Sequence, residues 1–395
     1  MAKIFTVILV ILMLFLDYRA YGKLQKASAS KRIRYPFIGV VALSYLMVIL
    51  TPLFMFLFLN EENNAFMMVF SMSILTFFLA VSAARLVLYA FWLPAKKVKW
   101  LRCGIVFSSL VLLYSLYCIF VTRTDYSVER VEVEYEELPE QFDGYRIAFL
   151  SDIHIGSMPD AVAQLNEVSS IINSLDADLV LFGGDMVNIY SSELSPEIAY
   201  VLATVKAKDG IFAVLGNHDT GSYISGSDTD SRIVNKNDFE RRLNAAGWTL
   251  LRDSTVYIKR EYDSIAVTGI DYTEKLLEYK HKFDAITDID YSSLYENSPE
   301  GIFNITVSHL PQLWHYLCDN GYSDLTLSGH IHAMQCKIGS FSPASFMYDE
   351  YSGLYTDKNG KLYINDGIGS VGFIARIGSG PEITLIELKS KRKSL

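Results

Sequence analysis

The chain has 395 residues, 51% of them hydrophobic, and a formal net charge of −9. That length exceeds one ordinary domain, and the acidic balance, with no basic patch in the polar part of the chain, argues against nucleic-acid binding. The four cysteines, Cys103, Cys118, Cys318 and Cys336, show neither a metal-like spacing nor the pattern of a disulfide framework.

The first third is apolar. Residues 1–122 carry few acidic groups, Asp17, Glu61 and Glu62 among them, whereas most of the 44 acidic residues follow. Apolar runs cover 4–16, 36–59, 65–93 and 103–121. The last three match or exceed the roughly 20 residues that a helix needs to cross a bilayer. The first is short and also fits a signal-peptide core, but Tyr18-Arg19-Ala20-Tyr21 offers no small-residue cleavage site. A short first span is the expectation, giving a transmembrane helical domain over 1–122 with three to four spans.

Positive charge orients these spans. Arg19, Lys23, Lys26, Lys31, Arg32 and Arg34 follow the first run, and Lys96, Lys97, Lys99 and Arg102 follow the third. Between them, Glu61-Glu62-Asn63-Asn64 has no positive charge. The basic segments are therefore expected in the cytoplasm, and everything after Thr122 on the extracytoplasmic face. For a bacterial chain this means an inner-membrane protein. Arg85, inside the third run, is expected to snorkel towards the cytoplasmic interface. With few other charges in the spans, the domain reads as an anchor.

After a connector and leading strand (123–143), segment 144–390 alternates strands and helices. Strands are expected at 131–135, 146–150, 179–182, 211–215, 249–251, 256–259, 265–269, 302–307 and 325–327. Helices are expected at 160–175, 196–206, 238–246 and 311–319. The tail adds strand-like pieces at 362–364, 373–376 and 382–388. Residues 222–231 are polar and rich in Gly, Ser and Asp, the composition of a surface loop.

Five of the seven histidines sit in short polar clusters just after these strands. The clusters are Ser151-Asp152-Ile153-His154, Gly184-Asp185-Met186-Val187-Asn188, Gly216-Asn217-His218-Asp219, Ser308-His309 and Gly329-His330-Ile331-His332. One Asp-x-His in a loop is weak evidence, because both are common turn residues. Five such clusters in one domain, each at the end of an apolar strand, converge on one crevice in an open α/β arrangement. Imidazole and carboxylate donors together suit Mn, Fe or Zn better than Ca, and Mg less well. Two such ions roughly 3.5–4 Å apart clamp a phosphate and acidify a shared water.

With these motifs, residues 130–390 resemble the calcineurin-like metallophosphoesterase superfamily. The style is similar to its membrane-attached bacterial phosphodiesterase branch, through LP..FDGYRIAFLSDIHIG at 138–156 and GIGSVGFIARIGSGPEI at 367–383. The resemblance implies a four-layer α/β fold, a double β-sandwich flanked by helices, preceded here by the transmembrane helices. It implies one metal on Asp152, His154, Asp185 and His332, and a second on Asp185, Asn217, His309 and His330. Asp185 would bridge the ions, and a metal-bridged hydroxide would attack phosphorus. It further implies His218 as general acid, with Asp219 orienting it, and Asn188 and Asn217 as substrate contacts, Asn188 either on the phosphate or supporting Asn217. His281 and His315 fall outside the motifs and are expected in surface or packing roles.

One departure stands out: the branch often has two glycines after the last histidine pair, where this chain has Ala333-Met334. The expected partners are a phosphate-ester substrate, in one version lipid-linked, and the bilayer. Phe341, Phe346, Met347 and Tyr348 are candidates for an apolar lip, although aromatics in such a segment more often belong to the core. Two alternatives stay open: a UDP-2,3-diacylglucosamine pyrophosphatase-like enzyme of lipid A synthesis, which would work on the cytoplasmic face, and a non-catalytic membrane binding module on a phosphoesterase scaffold.

Overall fold

Four helices fill residues 2–120: α1 (Ala2–Lys26), α2 (Lys31–Phe58), α3 (Asn64–Trp92) and α4 (Val98–Phe120). They belong to a computed structural model that describes residues 2–273, 275–276, 289–357 and 360–391, so His281 lies outside the described residues. The chain divides into two units, one built on the four helices and one on residues 122–371 and 376 onward.

In the helical unit, Lys31–Phe58, Asn64–Trp92 and Val98–Thr124 are long and apolar enough to cross a membrane. Their apolar side chains stand exposed, Phe56 at 85% and Leu113 at 62%, a surface suited to lipid rather than water. Most of the basic residues that flank the apolar runs lie on helices, and Lys96 and Lys97 fall in the connection between α3 and α4. Arg19, Lys23 and Lys26 fall in α1, Lys31, Arg32 and Arg34 in α2, and Lys99 and Arg102 in α4. Lys and Arg are good helix formers, so a helix runs on through them past the apolar stretch. Lys23 shows what such a charge does there: its Nζ donates to the Trp92, Leu93 and Ala95 carbonyls, which the end of α3 leaves without helical partners.

Arg85 corrects the snorkelling expectation. It is buried, and its Nη1 lies 3.1 Å from Asp17 Oδ2 on α1. The Tyr45 and Tyr89 hydroxyls donate to the same carboxylate. A lone charge among apolar helices is costly, and a partner on a neighbouring helix removes more of that cost than a stretched side chain does.

Among the described residues, the second unit holds two six-stranded sheets. The first comprises β1 (Ser127–Tyr135), β2 (Tyr145–Leu150), β3 (Leu179–Phe182), β4 (Ile211–Ala213), β5 (Thr249–Leu250) and β12 (Glu382–Ser390), in the order β1-β12-β2-β3-β4-β5. The second comprises β6 (Ser254–Arg260), β7 (Asp263–Gly269), β8 (Phe303–Val307), β9 (Leu325–Ser328), β10 (Gly353–Asp357) and β11 (Gly360–Ile364), in the order β10-β11-β9-β8-β7-β6. β2, β3, β4 and β5 run parallel, as do β7, β8, β9 and β11. Successive residues of a strand face opposite ways. Ile147 and Phe149 accordingly join Leu181, Val267, Ile305 and Leu327 between the sheets. Ala148 and Leu150 face a second core with Leu165, Ile172, Ile198 and Phe239 from α5 (Ala161–Ser174), α6 (Pro196–Leu202) and α7 (Thr229–Ala245). Beyond the other sheet, Trp314 and Cys318 of α8 (Trp314–Asp319) pack on Leu362 and Ile364. The layers are helix, sheet, sheet, helix, as the resemblance implied.

Several expected elements differ. The helix read at 238–246 begins at Thr229, because Asp228 caps it by accepting from Ser231 N, which shortens the 222–231 loop. The piece at 373–376 is not a strand, whereas Gly353–Asp357, which went unread, is one. Its exposed pattern is that of an edge strand with little core to encode.

Candidate metal centre

Each sequence motif sits where a parallel strand ends. Asp152 and His154 follow β2, Asp185 and Asn188 follow β3, and Asn217, His218 and Asp219 follow β4. From the facing sheet come His309 after β8, and His330 and His332 after β9. These loops approach one another more closely than side chains allow. A Cβ on Gly216 would fall 2.1 Å from Asp185 Oδ1, and one on Gly329 would fall 2.3 Å from Asp152 Oδ2. Glycine at both positions is a steric requirement of the site.

The candidate ligands gather in two groups that share one oxygen. In the first, His332 Nε2 is 3.0 Å from Asp152 Oδ1 and 3.3 Å from His154 Nε2. In the second, His309 Nε2 is 3.2 Å from both Asn217 Oδ1 and His330 Nδ1. Asp185 Oδ2 lies between them, 3.7 Å from His154 Nε2 and 3.2 Å from His309 Nε2. Its other oxygen, Oδ1, accepts from His218 N at 2.8 Å. Three overlapping sets, Asp152/His154/His332, His154/Asp185/His218 and Asp185/His309/His330, each offer ligand atoms within 4.8 Å of one another.

This donor set fits divalent cations. Asp152, His154, Asp185, His309 and His332 are all buried, and buried groups facing lone pair to lone pair need a positive centre between them. The outer nitrogen of His309, Nδ1–H, donates to the Gly183 carbonyl at 2.8 Å, which leaves Nε2 as the inward lone pair. Burial, and then His218, holds His154 well below the usual imidazole range, and burial, and then His309, lowers His330 to about 3. Neutral imidazole is the form that binds a metal. Burial opposes charge on Asp152 and Asp185, yet the neighbouring histidines hold both carboxyls below the usual range. For His309, burial acts downwards but Asp185 outweighs it and raises the imidazole to about 9.

Two expected roles change. Asp219 does not touch the His218 ring. Its carboxylate accepts from the backbone N–H groups of Asp185, Met186, Val187 and Gly216, at 2.8–3.1 Å. Burial, and then Asp185, pushes its carboxyl up to about 7. The group that orients His218 is the Asn188 carbonyl, which accepts from Nδ1–H at 2.7 Å. The Asn188 side chain is fully buried and neither end has a hydrogen-bond partner, so it does not support Asn217. His315 is 3.2 Å from Glu350 on the surface.

Residues missed in the sequence complete the surroundings. Tyr223 stacks flat on His218, centroids 4.1 Å apart, and its hydroxyl accepts from Asn217 Nδ2 at 3.0 Å. The signal was an aromatic inside a polar loop five positions after the histidine. Tyr272 meets His309 edge-on at 6.0 Å. Glu193 accepts from the backbone N–H groups of Gly156, Asn188, Ile189 and Tyr190, tying the loop after His154 to the loop after Asp185. No local pattern marked it.

Residues 145–334 match the family model for calcineurin-like phosphoesterases. A transmembrane protein with metallophosphoesterase domain from Danio rerio is 30% identical over 66% of this chain, which spans 56% of that protein's length. The UDP-2,3-diacylglucosamine pyrophosphatase LpxG of Chlamydia trachomatis is 29% identical over 63% of this chain and 86% of its own length. The Bacillus subtilis metallophosphoesterase YkuE is 25% identical over 64% and 82%.

Proposed function

Residues 145–334 form a calcineurin-like phosphoesterase domain, a domain of metal-dependent phosphoric ester hydrolases, and from that premise we propose that the chain is a membrane-anchored phosphodiesterase with a two-metal site. The observation that carries this reading is Asp185 Oδ2, which lies within 3.7 Å of the inward nitrogen of a histidine from each ligand group. Asp152, His154, Asp185 and His332 would hold one ion, and Asp185, Asn217, His309 and His330 the other. Mn, Fe or Zn in these places would polarise a phosphoryl oxygen and acidify nearby water.

The protein's own groups would do the rest. His218 has Nδ1–H committed to the Asn188 carbonyl, so only Nε2 is free for proton transfer. Burial favours the neutral ring, and an incoming phosphate anion restores the charged one. Nε2–H would then serve the leaving oxygen, a contribution of typically 10²–10⁴-fold. Tyr223 would hold the ring in plane and orient Asn217. With Mn²⁺ added, the full-length protein is expected to hydrolyse a chromogenic phosphodiester. Asp185→Ala should abolish turnover and His218→Ala should lower kcat by roughly 10²-fold or more. Equal activity in the parent and both variants would remove the proposed site.

The catalytic domain is proposed to face the extracytoplasmic side, on the strength of the basic residues that flank the first and third apolar runs. The similarity to LpxG favours a second reading, hydrolysis of the pyrophosphate bond of a UDP-linked diacyl sugar on the cytoplasmic face. Reporters fused after Leu395 separate the two, because alkaline phosphatase matures only outside the cytoplasm and green fluorescent protein only inside it. An active phosphatase fusion is expected. An inactive phosphatase fusion together with a fluorescent one would reverse the placement.

A further inference from the structure

Between β11 and β12 the chain passes against the candidate metal centre without supplying a ligand to it. Gly367, at φ 80°, packs so closely that a Cβ there would fall 2.9 Å from both Asp152 Cβ and His332 Nδ1. A Cβ on Gly369 would fall 1.9 Å from the Ile153 carbonyl oxygen. The backbones are joined as well. Ile368 N donates to the Ser151 carbonyl at 3.1 Å, and Gly369 N to the Asp152 carbonyl at 2.8 Å. Ser370 N donates to Ser157 Oγ at 3.3 Å, and the Ser157 hydroxyl donates in turn to the His154 carbonyl at 2.7 Å. The loop that carries Asp152 and His154 therefore rests on 367–370.

One side chain carries this support to a candidate ligand. The fully buried Ser151 hydroxyl faces Asp152 Oδ2 at 2.5 Å and Asn365 Oδ1 at 3.1 Å, and the charged acceptor draws the larger share of its one proton. Asn365 has no freedom to turn. Its Oδ1 also accepts from Gly367 N at 2.8 Å, and its Nδ2 donates to Thr384 Oγ1 at 2.9 Å and to the Glu382 carbonyl at 3.3 Å. Asp152 Oδ2 accepts from His330 N too, at 3.0 Å. With Oδ2 committed to two donors, Oδ1 is the oxygen turned towards the first ligand group, 3.0 Å from His332 Nε2. Behind the turn stands Arg376, also fully buried. All five of its N–H groups go to backbone carbonyls: Nε and Nη2 to Gly369, Nη2 also to Gly367, and Nη1 to Asp366 and Gly380, at 2.6–3.1 Å. A planar fork spread over 366–369 dictates the shape of the turn, which a lysine with three donors on one atom cannot do.

We propose that Ser151, Asn365 and Arg376 are positioning residues for the first metal, the one assigned to Asp152, His154, Asp185 and His332. Ser151 aims the Asp152 carboxylate, Asn365 fixes Ser151, and Arg376 shapes the turn that presents Asn365 and supports the Asp152–His154 loop. The second ligand group has a different outer partner, the Gly183 carbonyl behind His309. The two ions are therefore held by separate supports, and the first can be weakened while the second stays bound. The inference rests on the two-metal reading.

The test titrates chelator-stripped, full-length protein with Mn²⁺ and follows electron paramagnetic resonance. An isolated Mn²⁺ shows resolved hyperfine lines, whereas two ions that share a ligand show an exchange-coupled spectrum. The parent is expected to reach the coupled spectrum. A parent that never does would sink the two-metal reading, and this inference with it, before any variant is compared. In Ser151→Ala, Asn365→Ala and Arg376→Lys, the coupled spectrum should need roughly 10–100-fold more Mn²⁺, preceded by the signal of one ion held as tightly as in the parent. Arg260→Ala, which loses ion pairs to Asp178 and Asp209 away from the site, should titrate like the parent. Folded Ser151→Ala that couples at the parent's Mn²⁺ concentration would overturn the proposal. Equal weakening of both ions would overturn it too, by reducing these residues to general support of the fold. Failure of Arg376→Lys to fold would strike Arg376 from the set and leave Ser151 and Asn365 to be judged by their own titrations.

Discussion

Five candidate ligands hold left-handed backbone: φ is 53° at Asp152, 48° at His154, 61° at Asp185, 73° at His330 and 54° at His332. Left-handed conformation costs a residue with a Cβ roughly 1–2 kcal/mol, so the site stores strain where its chemistry is concentrated. The run continues through Ala333, Met334 and Gln335, at φ 46°, 49° and 55°. The family's tendency to place glycine after the last histidine pair thereby acquires a cause, since glycine alone is at ease there. Neither Ala333 nor Met334 is a candidate ligand. Ala333→Gly with Met334→Gly relieves roughly 2–4 kcal/mol of strain and gives back about 1–2 kcal/mol through the freedom two glycines add to the unfolded chain, so the fold should gain about 1–2 kcal/mol, seen as a higher urea midpoint at unchanged slope. A lower midpoint would mean that the buried contacts of Ala333 outweigh its strain. The motif residues were legible in the sequence because hard ligands and small residues at strand ends are a local pattern. The environment of Asp219 was not: adjacency suggested a partner for His218, but the carboxylate turns away to four amides of two different loops.

Among the elements, long apolar helices and buried strands were legible because one physical requirement governs every position in them. β3 falls on the expected residues 179–182, all four of them buried. Half-exposed pieces such as β10, and the extent of α7, depend on caps and neighbours that no periodicity records. The clearest case is α1. Its one acidic residue, Asp17, stands just past the apolar run at 4–16, yet in the helical unit it is the group that receives Arg85, Tyr45 and Tyr89 from two other helices. Sixty-eight residues separate Asp17 from Arg85, so no local rule pairs them. Removing one partner leaves a buried charge alone, which costs about 3–5 kcal/mol, whereas removing both often costs far less. Asp17→Ala alone should therefore lower the thermal stability of the helical unit more than Asp17→Ala combined with Arg85→Leu. Detergent-solubilised protein followed by circular dichroism at the helical band checks this ordering. Additive losses would mean that the pair contributes no coupling and that α1 is held by its apolar contacts.

Across the whole second unit, the candidate metal centre joins two sheets whose facing sides meet mainly through apolar packing. Asp152, Asp185 and Asn217 come from ends of the first sheet, and His309, His330 and His332 from ends of the second. A cation bound between them is a cross-link specific to the folded state, and binding to the folded state alone adds RT ln(1 + [L]/Kd) to stability. At a hundredfold excess over Kd this amounts to about 2.7 kcal/mol, which for a domain of this size shifts Tm by roughly 5–10 °C. The shift should appear on adding Mn²⁺ to chelator-stripped protein, in the transition that reports the sheets rather than the helices. In Asp185→Ala, which removes the oxygen shared by both ligand groups, most of the shift should disappear, because neither group is complete without it. In Arg260→Ala, whose guanidinium pairs with Asp178 and Asp209 rather than with any candidate ligand, the shift should persist on a lower baseline. An equal shift in Asp185→Ala would locate the bound cation elsewhere in the protein. The strained loops give this measurement a further meaning. If the left-handed ligands are held in place only by their cation, stripping it should also loosen the turns after β2, β3 and β9, and amide exchange at 152–156, 185–188 and 330–335 should quicken while the strands between the sheets stay protected.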